Sequence, residues 1–439
     1  MTNIQFVNAH IIDPSQNMDG IGSVSVENGV ISDCRLGDAP KPSKDTKIVD
    51  CAQSYLAPGL VDMRVQSGDP GAEHLEDLNS LLHAAAAGGV TAFACLPNTQ
   101  PIIDDATMID SLCLRATRQG GSRLHVYGAA TKGLGGEEMA ELGLMAESGA
   151  VGFSNGLTSI QDALVMRRLL SYASMIDKPV IQHCEDASLT ADGEMNEGET
   201  STRLGLIGSP AAAEVIIIDR DLHLVRLTGG RYHVAHISTR AGIDAVRKAK
   251  AEGLPVTADT APPYFILNEL AVSTYDTAMK LSPPLRSEDD RLAVIEGLAD
   301  GTIDAVASDH VPVDGDAKMQ PFGPSQPGAS AIDTLFALTL SLVHAGHISM
   351  SRAIETLSLS PATILDVPGG SLVPGSVADI ILFRPDTAWI VKGQISNQIR
   401  GSRLLSLIRC KVLLTQPMSM EKKSTDAAEQ ILRYSYDRV

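Results

Sequence analysis

Three residues able to bind a metal or move a proton stand at the ends of short apolar runs. His183 closes the run 180–183, His236 closes 232–236, and Asp309 follows 305–308. Two imidazoles and a carboxylate, with a water, make a workable coordination set for one zinc ion, and the carboxylate can double as general base. Against this stands the end of the run 60–65, where Arg64, Gln66 and Gly68 follow one another at every second position. Arginine is permanently cationic and repels a metal ion, and glutamine is a poor neutral ligand. Glycine has no side chain to grip a substrate. Arg64 is suited instead to pair with Asp309 and balance its charge.

These residues need a frame. Apolar runs at 60–65, 91–96, 124–129, 149–153, 180–183, 232–236, 256–258 and 305–308 alternate with helical stretches at 74–88, 106–119, 159–175, 211–228, 241–252 and 289–298. Such alternation predicts parallel βα units, and the span 58–368 has room for a (β/α)₈ barrel. Periodicity alone leaves an open doubly wound sheet as the alternative. Residues 1–57 read as short strands separated by turn residues such as Asp13-Pro14, Asp19-Gly20 and Asn28-Gly29. Further strands at 375–383 and 404–414 are their natural complement, which predicts a small β-sandwich assembled from both termini, 1–57 plus 369–419. Residues 420–439 form a polar tail.

Composition narrows the partners. With 439 residues, 44% hydrophobic and 20% charged, the chain can bury a large core and is globular. A net charge of −18 argues against nucleic acid or an anionic membrane surface. Six cysteines without a Cys-x-x-Cys pair favour reduced thiols. No leader-like N-terminus and no run long enough to cross a bilayer is evident, so a cytoplasmic protein is expected.

A set of landmarks in order adds to this reading. They are 58–71 and 69–77, the glycine-bearing 84–91, Leu96-Pro97-Asn98-Thr99, Thr131-Lys132-Gly133, Gln182-His183-Cys184-Glu185-Asp186, His236-Ile237-Ser238-Thr239, Ser282-Pro283-Pro284-Leu285-Arg286, 301–304 and Ser308-Asp309-His310-Val311-Pro312. Together they resemble the dihydroorotases of the amidohydrolase superfamily, nearly end to end. The resemblance implies an α/β fold, a (β/α)₈ TIM-like barrel of the amidohydrolase type. It implies His183 and His236 as metal ligands of the fifth and sixth strands, Asp309 as ligand and base of the eighth, and Asn98 as a substrate contact. It also shows what has gone. Arg64 and Gln66 replace the family's His-x-His, Gly68 its substrate arginine, Asn155 and Gly156 its paired acids, Ser282 an asparagine and Val313 a histidine. Lys132 belongs to the third-strand loop and reads as a solvated lysine, not a carbamylated bridge. The Pro/Gly-rich stretch 321–328 resembles the family loop that closes over the mouth.

The expectation is therefore a non-catalytic dihydroorotase-like protein of pyrimidine biosynthesis. By resemblance it would be a structural partner of aspartate carbamoyltransferase in a homo- or hetero-oligomer, with no cofactor or at most one zinc. The alternatives are a mononuclear cyclic amidohydrolase using His183, His236 and Asp309, and a small-ligand sensor whose Arg64 grips an anion.

Overall fold

The computed structural model describes residues 3–390 and 409–414. The chain opens with β1 (Asn3–Asp13), β2 (Met18–Glu27), β3 (Val30–Leu36), β4 (Thr46–Asp50) and β5 (Tyr55–Pro58). β2 and β3 are joined through Asn28 and Gly29, both at positive φ (54° and 82°), as a two-residue hairpin requires. Asn8, also at positive φ, marks a register shift in β1 between Phe6 and Ala9. Before this bend β1 pairs in parallel with β4, and after it with β5. The fork lets the sheet wrap its own apolar cluster, which includes Ile4, Phe6, Ile11, Val24, Val26, Ile31 and Leu56.

The next strands are β6 (Leu60–Val65), β7 (Val90–Cys95), β8 (Arg123–Ala129), β9 (Ala150–Ser154) and β10 (Val180–His183). After a two-residue pair outside the main sheet, β11 (Met195–Asn196) with β12 (Gly208–Ser209), come β13 (Tyr232–Ala235), β14 (Val256–Thr260) and β15 (Ala305–Val306). Eight of these form one sheet in the order β15-β14-β13-β10-β9-β8-β7-β6. The pairings between its neighbours are parallel. A parallel bridge from Val65 to His310 closes the ring, with the Gln66 amide donating to the His310 carbonyl at 2.8 Å. The protein is thus a (β/α)₈ barrel. The chain then returns to the first sheet, where β16 (Ile380–Ile390) pairs with β5, and β17 (Arg409–Leu414) with β16. Strands from both termini so build one mixed seven-stranded sheet. The predicted strand residues 404–408 and the tail 420–439 lie outside the described residues.

Helices start where short polar side chains can cap them. Asp77, Asp105, Asp162, Thr239 and Ser287 each accept a backbone N–H at the head of a helix, a contact worth about 1 kcal/mol. The helical faces pack on the outside of the barrel, while Met63, Ala94, Tyr127, Val151, Ile181 and Ala305 form a separate apolar cluster. The Tyr127 hydroxyl donates to the Met63 carbonyl at 2.8 Å. Among the described residues no helix is long and apolar enough to cross a membrane. The five cysteines whose side chains are described are free.

The first barrel strand departs from simple alternation. Its pairing with β7 shifts register between Asp62 and Val65, the signature of a bulge that re-aims a side chain. Met63 joins the smaller cluster and Val65 the main core, and Arg64, between them, is turned into the mouth toward Asp309.

Candidate site at the barrel mouth

Parallel strands deliver their C-terminal residues to one face, and this is where His183, His236, Arg64 and Asp309 meet. They do so as a row. Glu185 Oε2 lies 3.1 Å from His183 Nε2, and His183 Nδ1 lies 2.7 Å from His236 Nε2. His236 Nδ1 is 3.0 Å from Asp309 Oδ2, and Arg64 Nε donates to Asp309 Oδ1 at 2.9 Å. Arg64 Nη2 reaches across to the Gly156 carbonyl at 3.2 Å. Arg64 is only 2% exposed.

Hydrogen-bond accounting fixes the protons, assigned here from their partners. Burial would raise the Asp309 carboxyl, but His236 and Arg64 outweigh it and hold it below the usual carboxylate range. Burial acts likewise on Glu185, and the hydrogen bond and charge of His183 bring it down to about 2. Two ionised carboxylates at the ends each need a ring N–H, and the contact between the rings needs a third. Burial, reinforced by the Arg64 charge, lowers His236 to about 4, so at neutral pH it carries one proton. The remaining two sit on His183. The row then holds two negative charges (Glu185, Asp309) and two positive ones (His183, Arg64).

A metal does not fit this arrangement. Only His183 Nδ1 and His236 Nε2 face each other, whereas the Asp309 oxygens are turned to the far nitrogen of His236 and to Arg64. A catalytic zinc calls for three converging protein ligands. Among the described residues no group of three or more His, Cys, Asp and Glu is arranged to hold a metal ion.

The replaced positions have been built over. A side chain at Gly68 would begin 2.6 Å from the Glu76 carbonyl oxygen and closer still to that of Ala72, because the loop after β6 lies on it. Gly156 has φ +68°, and its Cβ would meet Asn98 at 3.0–3.1 Å. Asn155 is occupied, accepting from the backbone N–H and the hydroxyl of Thr131 at 3.2 and 3.0 Å. Ser282 is exposed, and Val313 is buried beside Gly328. Asn98 stays at the mouth with Oδ1 buried and without a protein partner, as are Arg64 Nη1 and Gln66 Oε1. Lys132 is an exposed loop lysine paired with Glu138 at 2.6 Å. His236 and Asp309 both have positive φ (37° and 51°), a strained backbone for residues that carry a Cβ.

Two features escaped the reading of the sequence. Glu185 caps the row, and its signal was its place two residues after His183. The loop 321–328 is pinned by two buried lysines: Lys280 Nζ donates to the carbonyls of Phe322 and Gly323, and Lys318 Nζ to those of Thr277 and Lys280. Burial, with Lys280 nearby, lowers Lys318 to about 8. No sequence signal marks such a long-range clasp.

Comparison with known proteins places the chain. A dihydro-orotase-like family model matches residues 54–242. A dihydroorotase of Syntrophotalea carbinolica is 42% identical over 395 residues, covering 89% of this chain and 91% of that one. One of Pelobacter propionicus is 42% identical over 94% of this chain and 99% of its own. Among solved structures, L-hydantoinase from Arthrobacter aurescens superposes with a TM-score of 0.84 at 21% identity, covering 96% of both chains. Dihydropyrimidinase from Brevibacillus agri gives 0.81 at 18%, over 95% of this chain and 94% of that one. These two speak to the fold, the amidohydrolase barrel, while the sequence relatives carry the kinship: the chain belongs to the dihydroorotase family.

Proposed function

We propose that this is a dihydroorotase-like protein of pyrimidine biosynthesis that does not catalyse the ring reaction and serves as a structural, cytoplasmic partner of aspartate carbamoyltransferase. The observation that carries the reading is the Arg64–Asp309 ion pair at 2.9 Å. It puts a fixed cation on the residue that the family uses as ligand and base. Closing or opening a cyclic amide needs an activated water, a free base and a grip on the substrate carboxylate. Here the base is engaged and position 68 is walled off by backbone.

The retained barrel then acts through its outside, and a chain of charge −18 is suited to a protein partner rather than a polyanion. The test has two parts. Purified protein is assayed in both directions, dihydroorotate hydrolysis and carbamoyl-aspartate cyclisation, with background rates expected. The transferase of the same cell is co-expressed and the mixture resolved by size-exclusion chromatography with light scattering. A shared peak of symmetric stoichiometry is expected, also for the His183→Gln variant, whose change lies inside the mouth. Separate elution at micromolar concentration would remove the partner.

A second reading is favoured by one contact. His183 Nδ1 and His236 Nε2 already face each other at 2.7 Å, the beginning of a mononuclear zinc site for a cyclic amidohydrolase. Turnover abolished by Asp309→Asn, together with one zinc per purified chain, would establish it.

A further inference from the structure

We propose that Arg64 is an internal cation standing where the fold would otherwise use a metal, and that the row from Glu185 to Arg64 is a strut holding the mouth of the barrel together. The inference deepens the non-catalytic reading and rests on it only in taking the mouth to be metal-free.

The strut joins strand ends that are far apart in sequence. Arg64 leaves β6, bonds Asp309 just past β15 and reaches the Gly156 carbonyl just past β9. Asp309 bonds His236 past β13, and His236 meets His183 at the end of β10. One connected set of side chains thus spans five of the eight strands, which is the tie a bridging ion would supply. Its geometry is prepared on both sides. The register shift between Asp62 and Val65 re-aims Arg64, and a glycine at 156 leaves its carbonyl open to the guanidinium.

Charge makes the same point. The row is neutral as it stands, with Glu185 and Asp309 opposed by His183 and Arg64. A divalent ion would have to enter beside a guanidinium that is 2% exposed and displace the proton between the two imidazoles. Taking away one member of a buried pair leaves the other uncompensated, whereas removing both does much less harm. Arg64 is accordingly a positioning residue, and its effect shows in stability and in coupling to Asp309.

The experiment is a double-mutant cycle on the full chain, read by thermal denaturation with and without chelator and with and without added zinc, alongside elemental analysis. The variants are Arg64→Met, Asp309→Asn and the two combined, with Arg64→Lys as the charge-retaining control. The wild-type Tm should not respond to chelator or zinc. Arg64→Met should lower Tm by roughly 3–10 °C. The combined variant should lose less than the sum of the single ones, and Arg64→Lys should fall between wild type and Arg64→Met. Should Arg64→Met fail to fold, Asp309→Asn against the combined variant reads the same coupling, since the strut requires the second change to restore stability. Additive losses, or an Arg64→Met protein as stable as wild type, would overturn the strut. Stoichiometric zinc, or a Tm lowered by chelator, would overturn the metal-free premise as well. Failure to bind the transferase removes the partner and leaves these results standing.

Discussion

The two sides of the barrel mouth differ in kind. On the side of β10, β13 and β15, the side chains suited to metal and proton chemistry remain, as His183, His236 and Asp309. On the side of β6 and β9, Arg64, Gly68, Asn155 and Gly156 stand where that chemistry would need a ligand, a grip and acids. The contrast teaches that the first set is not simply left over. Each member is bonded to the next, and the outermost to Arg64, so the altered side has recruited the retained one into a structural network. It also teaches that loss of chemistry need not leave space: Gly68 lies under loop backbone, and Gly156 under Asn98.

Perturbing the contrast most strongly means leaving Arg64 without its carboxylate. Asp309→Ala should cost about 3–5 kcal/mol in urea denaturation, because a nearly inaccessible guanidinium loses its counter-charge. A loss below about 1 kcal/mol would show that the two sides are not coupled. Next comes repair of the grip. Gly68→Arg should destabilise by about 2–3 kcal/mol, since its Cβ would overlap the carbonyls of Ala72 and Glu76. Gly156→Asp should cost about 1–2 kcal/mol through its positive φ and the pressure on Asn98.

A quieter probe follows the His236 ring by NMR as pH falls. With a folded value of about 4 against the usual 6.5, it should stay neutral through pH 5. The unfolded chain binds the proton first, so this group's stabilisation is complete above about pH 6.5 and declines as pH falls toward 4. Asp62 and Asp221, both raised to about 6 by burial, act in the opposite sense between about 6 and 3.8. The ring resonance therefore isolates the effect where total stability does not. A ring that titrates near 6.5 would mean that Arg64 does not bear on it. Smallest of all, Arg64→His combined with Gln66→His should raise turnover not at all, since positions 68 and 156 stay closed.

Much of the frame was legible because punctuation is local. The strands Leu60–Val65 and Val180–His183 and the helix Ala106–Gln119 fall at the predicted residues, marked by Pro-Gly turns, polar ends and an Asp105 cap. The helix Leu335–His344 escaped because it is apolar nearly all round, with Leu335 to Leu340 buried, and so shows no period. At the mouth, residue types identified His183, His236, Asp309 and their altered neighbours. The row itself was not legible, because its order depends on which ring nitrogen faces which strand. The closing of position 68 depends on backbone several residues away in the same loop.

The ring's seam has a consequence for how the barrel assembles and comes apart. The Val65–His310 bridge and the Arg64–Asp309 pair join residues 245 apart along the chain, at a strand, β15, only two residues long. Neighbouring βα units can pair over short separations, whereas this contact must close nearly the whole barrel at once. It should therefore form after the folding barrier and be among the first to open. In kinetic terms, Arg64→Met should leave the refolding rate almost unchanged and appear as faster unfolding, with early hydrogen exchange at the Gln66 and His310 amides.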